Sequence, residues 1–296
     1  MMNIYPKHNR VLQTAHGAIR FPTFMPVTTF GDKYPLDKMV QPYLKRTSQC
    51  LMVSHFYAQS MKKRPNMPIF IDSGGFAGLF EGAEIIDHGE YACIKTREGA
   101  EISPLDVLHF QIQHADIGAT LDFIIPPGLD RCECERRKAL TVRNALYAQK
   151  HNIAGRLVLF ASLQCWEEKS ARECAAIYAG AGFEGIAIGG MVPRARDREY
   201  IKNTVRAVRE EAPDCIIHVF GCGNVELIPE LIEAGADSFD SSSYVRGAAD
   251  MRKSAESSGL HSGLYAALDQ LCRINAVISG GEAVSGLIPN ARLCMA

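Results

Sequence analysis

Eight short apolar runs separated by helix-length segments limit most strongly what this chain can fold into. They occupy residues 21–27, 50–56, 68–72, 119–125, 157–164, 185–189, 216–220 and 237–241. Several are apolar at nearly every position, as parallel strands buried on both faces must be. Between them, residues 104–115, 135–151, 169–181, 197–211 and 225–234 space their apolar side chains at helical intervals. In the first of these, Leu105, Leu108 and Ile112 share a face, and Ser103 stands where an N-cap belongs. Eight strands alternating with helices point to the α/β class and a (β/α)8 TIM barrel, although a doubly wound open sheet gives a similar alternation. No GxGxxG follows the first strand, which counts against dinucleotide binding. At 296 residues the chain has a normal length for one barrel. A single domain is expected over residues 1–296, with the barrel over about 18–250 and a helical tail over about 251–296.

Charge narrows the function. Lys and Arg total 32 against 33 Asp and Glu, so no global basic field exists to coat DNA non-specifically, while a local basic face stays allowed. The first ten residues are polar and no run of about 18 apolar residues occurs, so neither a signal peptide nor a membrane span is expected. The ten scattered cysteines read as reduced thiols, which points to a cytoplasmic location. Cys132 and Cys134 are the only close pair, and they are two ligands short of a structural zinc site.

Chemistry in such a barrel sits where strands end. The third run ends in Asp72-Ser73-Gly74-Gly75-Phe76, and Asp122 interrupts the fourth. Gln164 closes the fifth and Gly189-Gly190-Met191 the sixth. The seventh ends in Phe220-Gly221-Cys222-Gly223, the eighth in Asp240-Ser241-Ser242. Each has a bland reading. The 72–75 cluster suits a turn, and Asp240 suits an ion pair. Asp122 is harder to dismiss, because a carboxylate between Leu121 and Phe123 pays for desolvation. Convergence on one mouth carries more weight than any single residue.

Six segments in order then make a resemblance specific. They are Thr14-Ala15-His16-Gly17-Ala18-Ile19-Arg20 running into Phe24-Met25-Pro26-Val27; Asp72-Ser73-Gly74-Gly75-Phe76; Ile102-Ser103-Pro104 with Gln111-Ile112-Gln113 and Ala115-Asp116-Ile117; Gly185 to Met191; Gly221-Cys222-Gly223; and Ala234 to Asp240. Over roughly residues 10 to 250 the chain resembles the tRNA-guanine transglycosylase family. The resemblance implies that Asp240 is a nucleophile attacking ribose C1′ and Asp72 the acid/base serving the departing and incoming bases. It also implies that Asp122 and Gln164 bind the purine edge, with help from Ser73 and the backbone at Gly190 and Met191. Phe76 and Phe220 would sandwich the base.

Departures from the family pattern bear on the substrate. After the nucleophile, Arg246 keeps the first of two arginines that grip an anticodon loop, and Ala249 stands at the second position. Gln164 is followed by Cys165-Trp166 where the family has small residues. The zinc motif is absent, since Cys272, Cys294 and His261 are too few for four ligands. No cofactor is therefore expected, with zinc allowed only elsewhere. The chain ends soon after the barrel, without the RNA-binding extension of archaeal members. These departures resemble the DNA-modifying branch, so the expected reaction replaces guanine in DNA by a preQ0-type 7-deazaguanine base. A divergent tRNA enzyme of the queuosine or archaeosine pathway, or a non-catalytic partner subunit, is the alternative. The partners are then a nucleic acid, DNA before tRNA, and a free 7-deazaguanine base, with a homodimer or protein partners left open. Lys62, Lys63, Arg64, Arg194, Arg196, Arg198 and Arg246 are the candidates for holding phosphates.

Overall fold

The computed structural model describes residues 10–31, 33–34, 36–153, 157–247 and 260–280. A hairpin, β1 (Val11–Thr14) and β2 (Gly17–Arg20), precedes β3 (Thr23–Pro26), β4 (Leu51–Val53) and β5 (Ile69–Ile71). A three-stranded antiparallel insert follows, formed by β6 (Glu84–Asp87), β7 (Ala92–Lys95) and β8 (Glu101–Ile102). The chain then continues through β9 (Ile117–Ala119), β10 (Val158–Leu163), β11 (Gly185–Ile188), β12 (Ile216–Val219) and β13 (Ser238–Ser241). The helices are α1 (Leu36–Thr47), α2 (His55–Ala58), α3 (Pro104–His114), α4 (Arg131–His151), α5 (Glu168–Gly180), α6 (Arg198–Glu211), α7 (Ile228–Ala234) and α8 (Leu260–Ile278).

Eight parallel strands run in the order β3-β13-β12-β11-β10-β9-β5-β4, and a bridge between Val27 and Met52 joins the two ends. The sheet is a closed barrel with helices outside it. Its pleat explains the apolar runs. Leu159, Leu163, Ile186, Ile188, Ile217, Val219 and Phe239 face the helices. The alternate residues Met25, Phe70, Phe160 and Ala187 fill the lumen, where Leu12, Ile19 and Phe21 of the hairpin region join them. Polar residues that share the lumen's parity, Ser162, His218, Ser238 and Asp240, are therefore buried inside the barrel.

Ser103 caps α3 as expected, its hydroxyl accepting from the Asp106 N–H at 3.2 Å while Asp106 accepts from the Ser103 N–H at 2.9 Å. The fourth strand is displaced from its expected 119–125 to Ile117–Ala119. Past Ala119 the ladder gives one more backbone bond, Thr120 N–H to the Phe160 carbonyl at 3.1 Å, and then side chains take over. The Ser162 N–H donates to the Thr120 hydroxyl at 3.0 Å, and the Ser162 hydroxyl donates to the Thr120 carbonyl at 2.6 Å. Asp122 thus lies past the strand rather than within it. The second strand stops at Val53, because Ser54 already leads into α2. Helix α8 packs on α1 and β3, with Asn275 donating to the Thr47 carbonyl at 2.7 Å. The expected tail segments 251–259 and 281–296 lie outside the described residues, as do Ala249 and Cys294. Among the described residues no helix is long and apolar enough to cross a membrane.

Candidate active site

Strands β12 and β13 set Asp240. The register pairs His218 with Ser238, so the imidazole faces both Ser238 and Asp240, two residues further along the same lumen face. Its Nδ1 lies 2.9 Å from the Ser238 hydroxyl oxygen and its Nε2 3.1 Å from Asp240 Oδ1. With Asp240 ionised, Nε2 must donate, which leaves Nδ1 to accept from Ser238. The Gly221 N–H donates to the same Oδ1 at 2.9 Å. Oδ2 accepts no hydrogen bond among the described residues. Asp240 is a buried carboxylate with one oxygen anchored and the other free.

Asp72 follows β5 and is half-buried. Its Oδ1 accepts from the His55 N–H at 2.9 Å and the Gly74 N–H at 2.8 Å, and the Ser54 hydroxyl also serves the carboxyl. Loss of water pushes its pKa up to about 6 against these donors, and the negative charge of Asp240 adds to the rise. The structure therefore brings the two carboxylates within electrostatic reach of each other. Gln111, buried on α3, positions the segment by donating to the carbonyls of Ile71, Asp72 and Ala119 at 3.1, 3.1 and 2.8 Å.

Asp122 is held through both oxygens. The Ser73 hydroxyl donates to Oδ1 at 2.5 Å and Gln164 Nε2 to Oδ2 at 2.6 Å. Burial raises its pKa, and these two donors oppose the rise. Two glycines make the close approach possible. A Cβ on Gly75 would lie 2.3 Å from Asp122 Oδ1, and one on Gly189 2.1 Å from Gln164 Nε2. Gly190 is left-handed at φ +71°, and buried Met191 follows it.

The two aromatic candidates differ in setting. Phe76 is 61% exposed in a 3-10 turn, Gly75–Leu79, and its ring meets Phe80 edge-on. Phe220 is half-buried against His218 and Phe70. No ring contact joins Phe76 to Phe220, so a planar ligand would have to bridge them.

Three of the seven basic candidates do other work. Arg194 donates to the carbonyls of Ile125 and Gly190 at 2.9 and 3.0 Å and stacks over Tyr200, bracing the loop that carries Gly190. Arg198 pairs with Glu230 at 2.8 Å and Glu226 at 3.6 Å. Arg64 is a correction to its expected place at the mouth. It bonds Asp116 together with the carbonyls of His114, Pro65 and Met67, among the strand starts at the opposite end. Lys62, Lys63, Arg196 and Arg246 are exposed. A cavity of about 650 Å³ lies beside the mouth, lined by Trp166, Tyr200, Pro127 and residues 192–197. None of the three carboxylates reaches it.

Comparisons with known proteins place the chain in a family. A model of the family described as queuine tRNA-ribosyltransferase (TGT) matches residues 9–257. The chain belongs to this family. It is 29% identical over 196 residues to a tRNA-guanine(15) transglycosylase of Methanocaldococcus jannaschii, covering 62% of this chain and 29% of that protein. A protein of the same name in Methanothermobacter thermautotrophicus is 27% identical over 249 residues, 82% of this chain and 36% of its own length. A queuine tRNA-ribosyltransferase of Thermotoga neapolitana is 28% identical over 255 residues, covering 78% and 67%. The chain thus spans about a third of the length of the archaeal relatives it matches.

Within this candidate site, three residues that hold the carboxylates do not stand out as candidates in the strand-end pattern. His218 carries a signal, as the one polar residue in the run Ile216-Ile217-His218-Val219, and Gln111 carries one as an amide on an otherwise apolar helix face. Ser54 carries none. Cys132 and Cys134 separate on the first turn of α4, one exposed and one buried.

Proposed function

We propose that this protein is a guanine transglycosylase that exchanges a guanine in tRNA for a 7-deazaguanine-type base through a covalent Asp240–sugar intermediate. The observation that carries this reading is the pairing of Asp72, a carboxyl that holds its proton close to neutrality, with Asp240, which keeps one oxygen free. Asp240 Oδ2 attacks C1′ of the ribose and the bond from C1′ to the base breaks. The guanine leaves with that electron pair and takes the Asp72 proton. The incoming base gives a proton back to Asp72 as its ring nitrogen displaces Asp240. Two displacements preserve the configuration at C1′ and need no energy source.

Asp122 reads the purine. Each of its oxygens has accepting capacity beyond the bonds from Ser73 and Gln164, enough for a ring N–H and an exocyclic amine. Adenine lacks that donor pair and would leave the carboxylate unpaired. The backbone at Gly190 and Met191 adds hydrogen bonds, and Phe76 and Phe220 flank the ring. Because C1′ is hidden in a stacked helix, the target nucleotide must be extruded into the mouth. Arg196 and Arg246 hold the backbone nearby. A cytoplasmic location goes with this reading.

The relatives weigh the substrate toward tRNA, since they are named for it. The case for DNA rests only on family features this sequence lacks, the second arginine at Ala249 and the zinc ligands, and no residue adds a DNA-specific group. Retention of Asp72, Asp122 and Asp240 together speaks against a purely binding subunit. Incubation with labelled guanine and either tRNA or duplex DNA tests the proposal. Label in tRNA alone supports it, label in DNA alone moves the substrate to DNA, and label in neither overturns the activity.

A further inference from the structure

The three-stranded insert gathers a histidine, a cysteine and a glutamate that the base-exchange chemistry does not use. His88 follows β6, Cys93 lies in β7 and Glu101 opens β8. Their ligand atoms meet. His88 Nε2 is 3.1 Å from Glu101 Oε2, and Cys93 Sγ is 3.4 Å from that oxygen and 3.5 Å from the imidazole nitrogen. Among the described residues this is the one group of three potential ligands so close together.

Zinc takes nitrogen and carboxylate oxygen at about 2.0–2.2 Å and sulfur at about 2.3 Å, so the edges of its tetrahedron measure roughly 3.3–3.7 Å. The three separations come within a few tenths of an ångström of those edges. We propose that His88, Cys93 and Glu101 form a three-ligand site for a zinc-class divalent ion, with solvent at the fourth position. The nitrogen, sulfur and oxygen donor set selects Zn²⁺ or Co²⁺ over Mg²⁺ and Ca²⁺, which prefer oxygen alone. Cys93 is buried, whereas the His88 and Glu101 side chains are 38% and 45% exposed, so the ion enters from solvent and settles onto the sulfur. In its absence the thiol donates to Glu101. On binding, the sulfur–metal bond forms and the thiol proton passes to solvent.

The ion would tie the three strands together behind the catalytic mouth. Ile94 of β7 lies within van der Waals reach of Gly78, in the turn that carries Phe76. Asn144 joins the Ala92 backbone to the Leu121 carbonyl, one residue before Asp122. The site is thus a structural clip for the plate supporting the base pocket, and its existence does not depend on the proposed reaction.

The full chain, stripped with a chelator and titrated with Co²⁺ alone, tests this. One Co²⁺ per chain should bind and give a thiolate-to-cobalt charge-transfer band that Zn²⁺ displaces. His88→Gln and Cys93→Ser should each weaken binding by more than about tenfold, since even outer-shell changes cost 10–100-fold at metal sites. His88 is exposed, so its variant keeps the fold, and far-UV circular dichroism verifies this. The double variant Cys132→Ser, Cys134→Ser should bind as the parent does. Absence of the band overturns the site. So does a band unchanged in both His88→Gln and Cys93→Ser, or one lost only with Cys132 and Cys134.

Discussion

Replacing Asp72 by Asn should stabilise the protein while stopping its chemistry. The amide oxygen of Asn can accept from the His55 and Gly74 N–H groups as Oδ1 does now, so both backbone bonds survive. What disappears is the cost of holding a charge there. Burial, with the charge of Asp240 behind it, moves the carboxyl from the ordinary 3.8 to about 6. At about 1.36 kcal/mol per pH unit, that is roughly 3 kcal/mol of proton-binding free energy. The sign follows from linkage. Below pH 3.8 the group is protonated whether the chain is folded or not, and it costs nothing. Between 3.8 and about 6 the unfolded chain loses the proton first, so stability falls as pH rises. Above 6 the whole penalty is present. The variant should therefore match the parent near pH 4 and exceed it by up to about 3 kcal/mol at pH 8. For a domain of this size that is a rise of about 6 °C in melting temperature. Thermal unfolding of both proteins between pH 4 and pH 8 measures the difference directly, because titrations elsewhere cancel. A gap that stays constant across that range, or one that closes as pH rises, refutes the reasoning.

Asp240→Asn should keep the fold, since an amide oxygen still accepts from Gly221, yet yield neither exchange nor a nucleic acid adduct trapped on a denaturing gel. Gly189→Ala should drive Gln164 off Asp122, because the new Cβ would lie 2.1 Å from Gln164 Nε2. Loss of a hydrogen bond to a charged group, worth about 1.5–3 kcal/mol, should raise KM for the free base by roughly 10–100-fold with a smaller change in kcat. Neutralising Arg196 and Arg246 together should weaken polynucleotide binding and flatten its salt dependence. Arg198→Ala, whose charge is already answered by Glu226 and Glu230, should change that slope little in the same titration.

The barrel was legible because period-two burial leaves a plain trace when both faces are apolar. Leu159, Ala161 and Leu163 alternate with Phe160 and Ser162 on β10, and either set alone reads as a strand. The strand-end residues were legible for a related reason, since Asp72, Gln164 and Asp240 each interrupt or end such a trace. Where the pattern failed, the cause was local. Gly118 on β9 gives no side-chain signal, so the apolar stretch after it drew the strand toward Asp122. The insert hides its strands in segments of two to four residues, too short for a period to show, and their apolar members Ile85, Ala92, Ile94 and Ile102 pack with Val107, Leu121 and Leu140. Charge was legible only as a sum. Whether Arg64 served the mouth or the strand starts depended on Asp116, a residue 52 positions away.

The division of labour between the two carboxylates follows from the strands beside them. Asp72 ends β5, and its donors are two backbone N–H groups and one hydroxyl, with no cation among them. That setting orients the carboxyl while leaving desolvation to decide its proton. Asp240 lies in β13 beside β12, whose lumen-facing His218 pairs with Ser238, one lumen-facing position earlier. Imidazole and the Gly221 N–H fix one oxygen, and the barrel opening leaves the other without a partner among the described residues. A chain that exchanged His218 for a smaller apolar residue would keep Asp240 in the same strand and lose its orientation. The effect should therefore fall on the attack step rather than on base recognition, because Asp122 is held by Ser73 and Gln164 from strands on the far side of the ring. Asp240 thus depends on β12 and β13 alone, whereas Asp72 and Ser73, the hydroxyl that holds Asp122, are consecutive residues after β5, so a change there reaches both carboxylates while a change at His218 reaches only Asp240.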